Sequence, residues 1–143
     1  MSKSIYVAGG SVDARLVADY IERLKTAGFS ITFDWTVEVL KATKPDHELS
    51  KEERQAIARI DLTAVRMASL FWVLLPKEVP CKHCGVPVPY NSIGCSIELG
   101  AALTYNSYSI VSGPHERSAM TSLATWSFMD HEEAYRYILD LAK

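Results

Sequence analysis

Ser69-Leu70-Phe71-Trp72-Val73-Leu74-Leu75 is the most apolar run in the chain. It shows no alternation of apolar and polar residues, so both faces of the strand it forms must be covered. That is the signature of an inner strand of a parallel sheet with helices on either side. Pro76 ends the run.

Working outward, the next decisive stretch is Asn91-Ser92-Ile93-Gly94-Cys95-Ser96-Ile97-Glu98-Leu99-Gly100-Ala101-Ala102. It reads as a helix of small and apolar residues running to about Asn106, with a single carboxylate, Glu98, expected in its first turn. A lone acid among uncharged neighbours is costly to bury. A helix start beyond the carboxyl end of a strand is where open α/β sheets bind ligands. Glu98 is therefore a candidate for chemistry, against the plainer role of a first-turn acid favouring the helix dipole.

Toward the N-terminus, Ser4 to Ala8 reads as a first buried strand. Gly9-Gly10-Ser11 is a tight turn whose N–H groups favour an anion at the following helix start. That helix places Leu16, Val17, Tyr20, Ile21, Leu24 and Ala27 in one apolar stripe, and Gly28 stops it. Phe29 to Phe33 reads as a second strand ending at Asp34-Trp35, which makes a right-handed βαβ unit. Val37 to Leu49 is mixed and polar and reads as a loop or flap. Ser50-Lys51-Glu52-Glu53 fits a capping box. The helix it opens has Ala56, Ile57, Ile60, Ala64 and Met67 as its expected inner stripe, with Asp61 beside it. Asp61 is either a surface acid or a group turned toward the site.

Beyond Glu98, Tyr108 to Ser112 reads as a strand and Ser118 to Trp126 as helical. Asp130-His131-Glu132-Glu133 starts a last helix with Ala134, Tyr137, Ile138 and Leu141 facing inward. The sum is one domain over residues 1–143: a three-layer α/β/α sandwich on a doubly wound sheet of four or five mainly parallel strands.

Composition narrows the function classes. With 48% hydrophobic and 22% charged residues and a net charge of −2, nothing marks a nucleic-acid polymer or a membrane as partner. No run reaches the roughly 18 apolar residues of a membrane span. No signal-peptide pattern is present, and the three cysteines imply a reducing, cytoplasmic setting without a disulfide framework. Cys81-Lys82-His83-Cys84-Gly85 looks like half of a zinc knuckle, for which Cys95 and His115 are the only distant complements. No metal or cofactor is assigned to the site.

The Gly9-Gly10-Ser11 turn, Asp34-Trp35 and Ser92 to Glu98 converge on one sheet edge, with Tyr6 just below. A stacking aromatic, a glycine turn and a buried acid suit a nucleoside or nucleotide. The acid is placed to attack the anomeric carbon as the base leaves, the logic of a retaining glycosidase. Helix-terminal N–H groups are expected to offset much of the desolvation of Glu98.

The pattern Ile5-Tyr6-Val7-Ala8-Gly9-Gly10, then an aliphatic strand, then Ser92-x-Gly94-x-x-x-Glu98-Leu99-Gly100-x-Ala102, resembles the nucleoside 2-deoxyribosyltransferases. It also resembles their relatives, the 2′-deoxynucleoside 5′-phosphate N-hydrolases. The resemblance follows most of the chain in element order, and its specific part is about a dozen residues around Glu98. It implies that Glu98 is the nucleophile, that Tyr6 holds it, and that Asp61 matches an acid of the preceding helix. It implies that Ser69 and Ser92 stand at sugar-contact positions and that Ser11 and Ser118 match serines set against a 5′-phosphate; Gly9, Gly10, Asp34, Trp35 and Gly94 complete the expected substrate contacts. Ser118 would come from a neighbouring subunit, which implies a homodimer or larger homo-oligomer.

Two positions depart from the transferases, which carry aspartates where this chain has Ser69 and Ser92. The basic residue expected after Ser11 is replaced by Val12-Asp13, so nucleoside and nucleotide both stay open. Two alternatives stand beside this one. Cys95-Ser96-Ile97-Glu98-Leu99 also resembles the helix start of TIR domains that hydrolyse NAD. A non-catalytic nucleotide-binding module on the same fold is the other.

Overall fold

A computed structural model describes residues 3–89, 93–105, 107–115 and 119–143. Ser92 and Ser118 lie outside them. The main sheet has five strands, all parallel: β1 (Ser4–Gly9), β2 (Ser30–Ile31), β3 (Leu70–Leu74), β6 (Tyr108–Ser112) and β7 (Trp126–Phe128). Their spatial order is β2-β1-β3-β6-β7. The chain leaves β1 in one direction and returns on its other side, so the order reverses between β1 and β3. That switch point is where ligands sit in such sheets. A separate antiparallel hairpin pairs β4 (Glu78–Pro80) with β5 (Pro87–Pro89) in the segment after Pro76.

Period-two alternation sorts the strand residues into two cores. Ile5, Val7, Leu70, Trp72, Leu74 and Ile110 face α1 (Ala14–Thr26) and α5 (His131–Leu141). Tyr6, Ala8, Phe71, Val73 and Val111 face α3 (Lys51–Met67) and α4 (Ile93–Thr104). All five residues of β3 are buried, as an inner strand without alternation requires. The rings of Tyr6 and Phe71, in register on adjacent strands, stack with centroids 6.1 Å apart.

Several local expectations are corrected. β2 is only two residues long: Thr32 N–H still reaches the Ile5 carbonyl, but the chain then turns away at Asp34. The Val37–Leu49 segment is not plain loop. It opens with α2 (Thr36–Lys41), because Asp34 Oδ1 accepts from the backbone N–H and hydroxyl of Thr36. A 3-10 turn follows at Asp46–Glu48. The capping box at Ser50 and Glu53 is present in both directions. The inner face of α3 is narrower than its apolar stripe, since Ala64 and Val65 are buried while Ala56, Ile57, Ile60 and Met67 are exposed. The expected helix before Trp126 is a 3-10 turn (Ala119–Leu123), and Trp126–Phe128 adds the fifth strand. In α5 it is Tyr135, with Ala134 and Ile138, that is fully buried, while Tyr137 and Leu141 are half-buried.

Candidate functional site

Glu98 is the sixth residue of α4 as described, in the second turn rather than the first. The free N–H groups of a helix belong to its first turn, so none is available to this side chain. Its one hydrogen bond among the described residues comes from across the fold: the Tyr6 hydroxyl donates to Glu98 Oε1 at 2.9 Å. Tyr6 is rigid, because it is fully buried in the middle of β1. Burial raises the Glu98 carboxyl to about 7, with Asp61 adding to the rise and the Tyr6 bond opposing it. The expected offset from a helix terminus is therefore absent, and desolvation prevails.

Asp61 belongs to the site rather than the outer surface. Its carboxyl is raised to about 6, chiefly by burial, and its Oδ1 is buried with no hydrogen-bond partner among the described residues. Tyr6 opposes that rise, but its hydroxyl donates to Glu98. Burial and both carboxylates push the Tyr6 phenol far above its usual value, so it remains a donor. Near neutral pH two interacting carboxyls titrate as a pair and hold about one proton between them.

These groups open into a cleft of about 740 Å³, within the range of small-molecule sites. Its walls bring together Gly9, Ser11, Trp35, Asp61, Gly94 and Glu98, six of the expected residues. Trp35 is pinned by its indole N–H, which donates to the Val7 carbonyl at 2.8 Å. Ile5 bonds to Thr32 just past the end of β2, and two residues on the ladder has run out. The indole takes the place of the missing rung. Gly9 has a packing reason for lacking a side chain: a Cβ there would meet Val17 Cγ2 at 2.5 Å.

Three expected residues are placed elsewhere. Asp34 does not line the cleft; it caps α2 and meets Lys25 Nζ at 3.3 Å. Gly10 is buried ahead of the 3-10 turn that begins at Ser11 and is not a wall residue. Ser69 lies at the opposite edge of the sheet, where its hydroxyl donates to the Ser4 carbonyl at 2.9 Å. The length of β3, about 17 Å at roughly 3.3 Å per residue, separates it from the site edge, so it cannot touch the same ligand as Glu98.

The cleft also contains residues the sequence did not single out. Phe33, Leu49, Ile57, Ile60 and Ile93 give it apolar walls, and Lys41 and Lys44 bring positive charge. The signal was available in the exposed apolar stripe of α3, which is turned to the cleft instead of the core. Among the described residues no group of three or more His, Cys, Asp or Glu side chains converges as a metal site.

No family model matches the sequence, and no curated protein matches it. Solved structures do. A 2-deoxyribosyltransferase from the psychrotolerant bacterium Bacillus psychrosaccharolyticus is 17% identical, with a TM-score of 0.66 over 94% of this chain and 91% of that one. The chain has the fold of that enzyme. A conserved protein from Enterococcus faecalis V583 is 15% identical, with a TM-score of 0.60 over 96% and 98%. The CMP N-glycosidase BcmB of Clostridium botulinum is 16% identical, with a TM-score of 0.51 over 97% and 98%. The expectation of a doubly wound parallel sheet is borne out. No helix among the described residues is long and apolar enough to cross a membrane.

Proposed function

We propose that the protein is an enzyme that cleaves the N-glycosidic bond of a nucleoside or nucleotide, with Glu98 as nucleophile. The observation that carries this is the Glu98 carboxylate in the cleft at the sheet's switch point, fixed by the buried Tyr6 hydroxyl and facing a second buried acid. The likeness to a deoxyribosyltransferase and to a CMP N-glycosidase supports the same chemistry.

In the reacting microstate the negative charge sits on Glu98, where the Tyr6 hydroxyl stabilises it, and the proton sits on Asp61; Glu98 holds a proton more tightly (about 7 against about 6), so this is the minor arrangement of the pair, which substrate binding must select. A Glu98 oxygen bonds to the anomeric carbon as the carbon–nitrogen bond breaks. The leaving base takes the bonding electron pair, and a proton supplied by Asp61 neutralises it. Water or a second base then attacks the anomeric carbon of the glycosyl ester from the vacated side, gives its proton to the Asp61 carboxylate, and releases Glu98 as the carboxylate, which restores both acids. Burial serves this sequence by keeping water from Glu98 until the base has left, and by raising Asp61 to about 6, so that a fraction of it carries a proton near neutrality. Trp35 and Phe33 offer the base an aromatic wall, while Ser11, Lys41 and Lys44 offer donors to the sugar end or its phosphate.

The test is to incubate the protein with deoxynucleosides, with their 5′-monophosphates and with NAD, and to assay free base by chromatography. Release from either of the first two is expected. Glu98→Gln is expected to lower it by roughly 10⁴-fold, as loss of a nucleophile does, while substrate still binds. Binding without base release would make the protein a non-catalytic module, and release from NAD alone would favour a TIR-like hydrolase.

A further inference from the structure

Asp34 stands outside the cleft, yet one wall of the cleft hangs on it. Its carboxylate accepts three hydrogen bonds. Oδ1 takes the Thr36 backbone N–H at 3.2 Å and the Thr36 hydroxyl, and Oδ2 takes Lys25 Nζ of α1 at 3.3 Å. An acceptor at position 34 and donors at position 36 close a ring of main chain around Trp35. Thr36 is buried, so water does not compete for these bonds.

Trp35 is thereby held at two points. The Asp34–Thr36 turn sets its main chain, and the Val7 carbonyl sets its indole N–H at 2.8 Å. The ring lies beside the end of β1, where a Cβ on Gly9 would stand 3.7 Å from Trp35 Cζ2. The same turn starts α2, which brings Glu38, Val39 and Lys41 to the cleft. A helix of six residues does not stand on propensity alone. Every residue from Leu40 to Glu48 is exposed. This wall is therefore fastened at its ends, and Asp34 is the fastening next to the ring.

We propose that Asp34 is a positioning residue: it touches no substrate and acts through Trp35, holding the indole as the platform on which the substrate's base stacks. The proposal deepens the reading of the cleft as a nucleoside or nucleotide site and rests on it. Stacking accepts any base, because every base has a π-face. It is made equally before and during bond cleavage, so a loosened platform raises KM and leaves kcat.

Base release from deoxynucleosides and their 5′-monophosphates is measured for the wild type, Asp34→Ala, Asp34→Asn, Trp35→Ala and the Asp34→Ala/Trp35→Ala double variant. Trp35→Ala is expected to raise KM roughly tenfold or more, as loss of a base–aromatic stack does. Asp34→Ala, which frees the ring without removing it, is expected to raise KM by roughly threefold or more with kcat held. Asp34→Asn keeps the Oδ1 acceptor for Thr36 and is expected to restore KM. In the double variant the Asp34 change is expected to add nothing to Trp35→Ala. A fall in kcat at constant KM, an Asn variant as weak as the Ala variant, or additive effects would overturn the proposal. The Trp35 indole N–H resonance, assigned with Trp35→Phe, reads the same point without substrate. Asp34→Ala is expected to shift it and speed its exchange, and an unmoved signal overturns the proposal whatever the turnover. If no base is released, the reading of Glu98 falls alone, and the same pattern is sought in Kd by calorimetry with the same compounds. Equal Kd for the wild type and Asp34→Ala then overturns the positioning role, and binding of none of the compounds overturns both.

Discussion

Replacing Glu98 by glutamine is expected to stabilise the protein in alkali and to change little in acid. The folded state holds the Glu98 carboxyl at about 7, against 4.5 for an unperturbed glutamate. The folded chain therefore binds that proton more tightly than the unfolded chain. Stability from this group is full below about pH 4.5, falls as pH rises toward 7, and is lost above 7. At about 1.36 kcal/mol per pKa unit, the loss amounts to about 3 kcal/mol when ionisation is complete. Glutamine keeps the shape and an oxygen for the Tyr6 hydroxyl but never ionises. The variant is thus expected to gain about 1 kcal/mol at pH 5 and about 3 kcal/mol at pH 8. Urea unfolding of both proteins at the two pH values measures the difference. An equal effect at both pH values, or a less stable variant at pH 8, would show that burial does not strain this carboxylate.

Tyr6→Phe removes the donor to Glu98; a hydrogen bond to a charged group contributes about 1.5–3 kcal/mol, so the acid limb of the base-release profile is expected to rise by roughly one to two pH units. Gly9→Ala forces a Cβ against Val17, which is fully buried and β-branched; it is expected to cost about 1–3 kcal/mol, and Gly94→Ala, with open space around it, to cost little. In the core under α1 and α5 Trp72 Nε1 donates to Ser112 Oγ at 2.9 Å, and Ser112 Oγ lies 2.6 Å from His131 Nδ1. With Ser112 as donor to Nδ1, His131 is expected to be the neutral tautomer with its proton on Nε2. Burial holds its pKa below the usual histidine value, so it favours the fold at neutral pH and that contribution is lost as pH falls below about 6.5; NMR titration of the ring tests both points.

The parts of the fold that were legible are those where burial and periodicity agree. β3 lacks alternation because both its faces are covered, and Val17, Tyr20, Ile21 and Leu24 of the α1 stripe meet one core, while Leu16 and Ala27 are exposed. The segment after Asp34 was opaque because its helix is started by one side chain, through Asp34 to Thr36, and not by an apolar pattern. The stripe of α3 misled because apolar residues serve two surfaces: Ala64 and Val65 meet the core, while Ile57 and Ile60 line the cleft. Of the candidate site, Trp35 was legible from its place after β2, Glu98 as the lone acid of an apolar helix, and Tyr6 from its place in the first strand below the glycine turn. Ser69 precedes β3, and in a parallel sheet that puts it at the amino edge, away from the carboxyl edge where the cleft opens. Asp34 failed because a capping acid and a binding acid read alike.

The short borders of the sheet have a consequence for how the molecule meets its neighbours. The three inner strands run five or six residues, but the flanking ones run two and three. So little unpaired main chain lies along either rim that another polypeptide has almost nothing to zip onto, a protection against fibrous self-association. Copies of this protein that do associate must do so through side chains and loops.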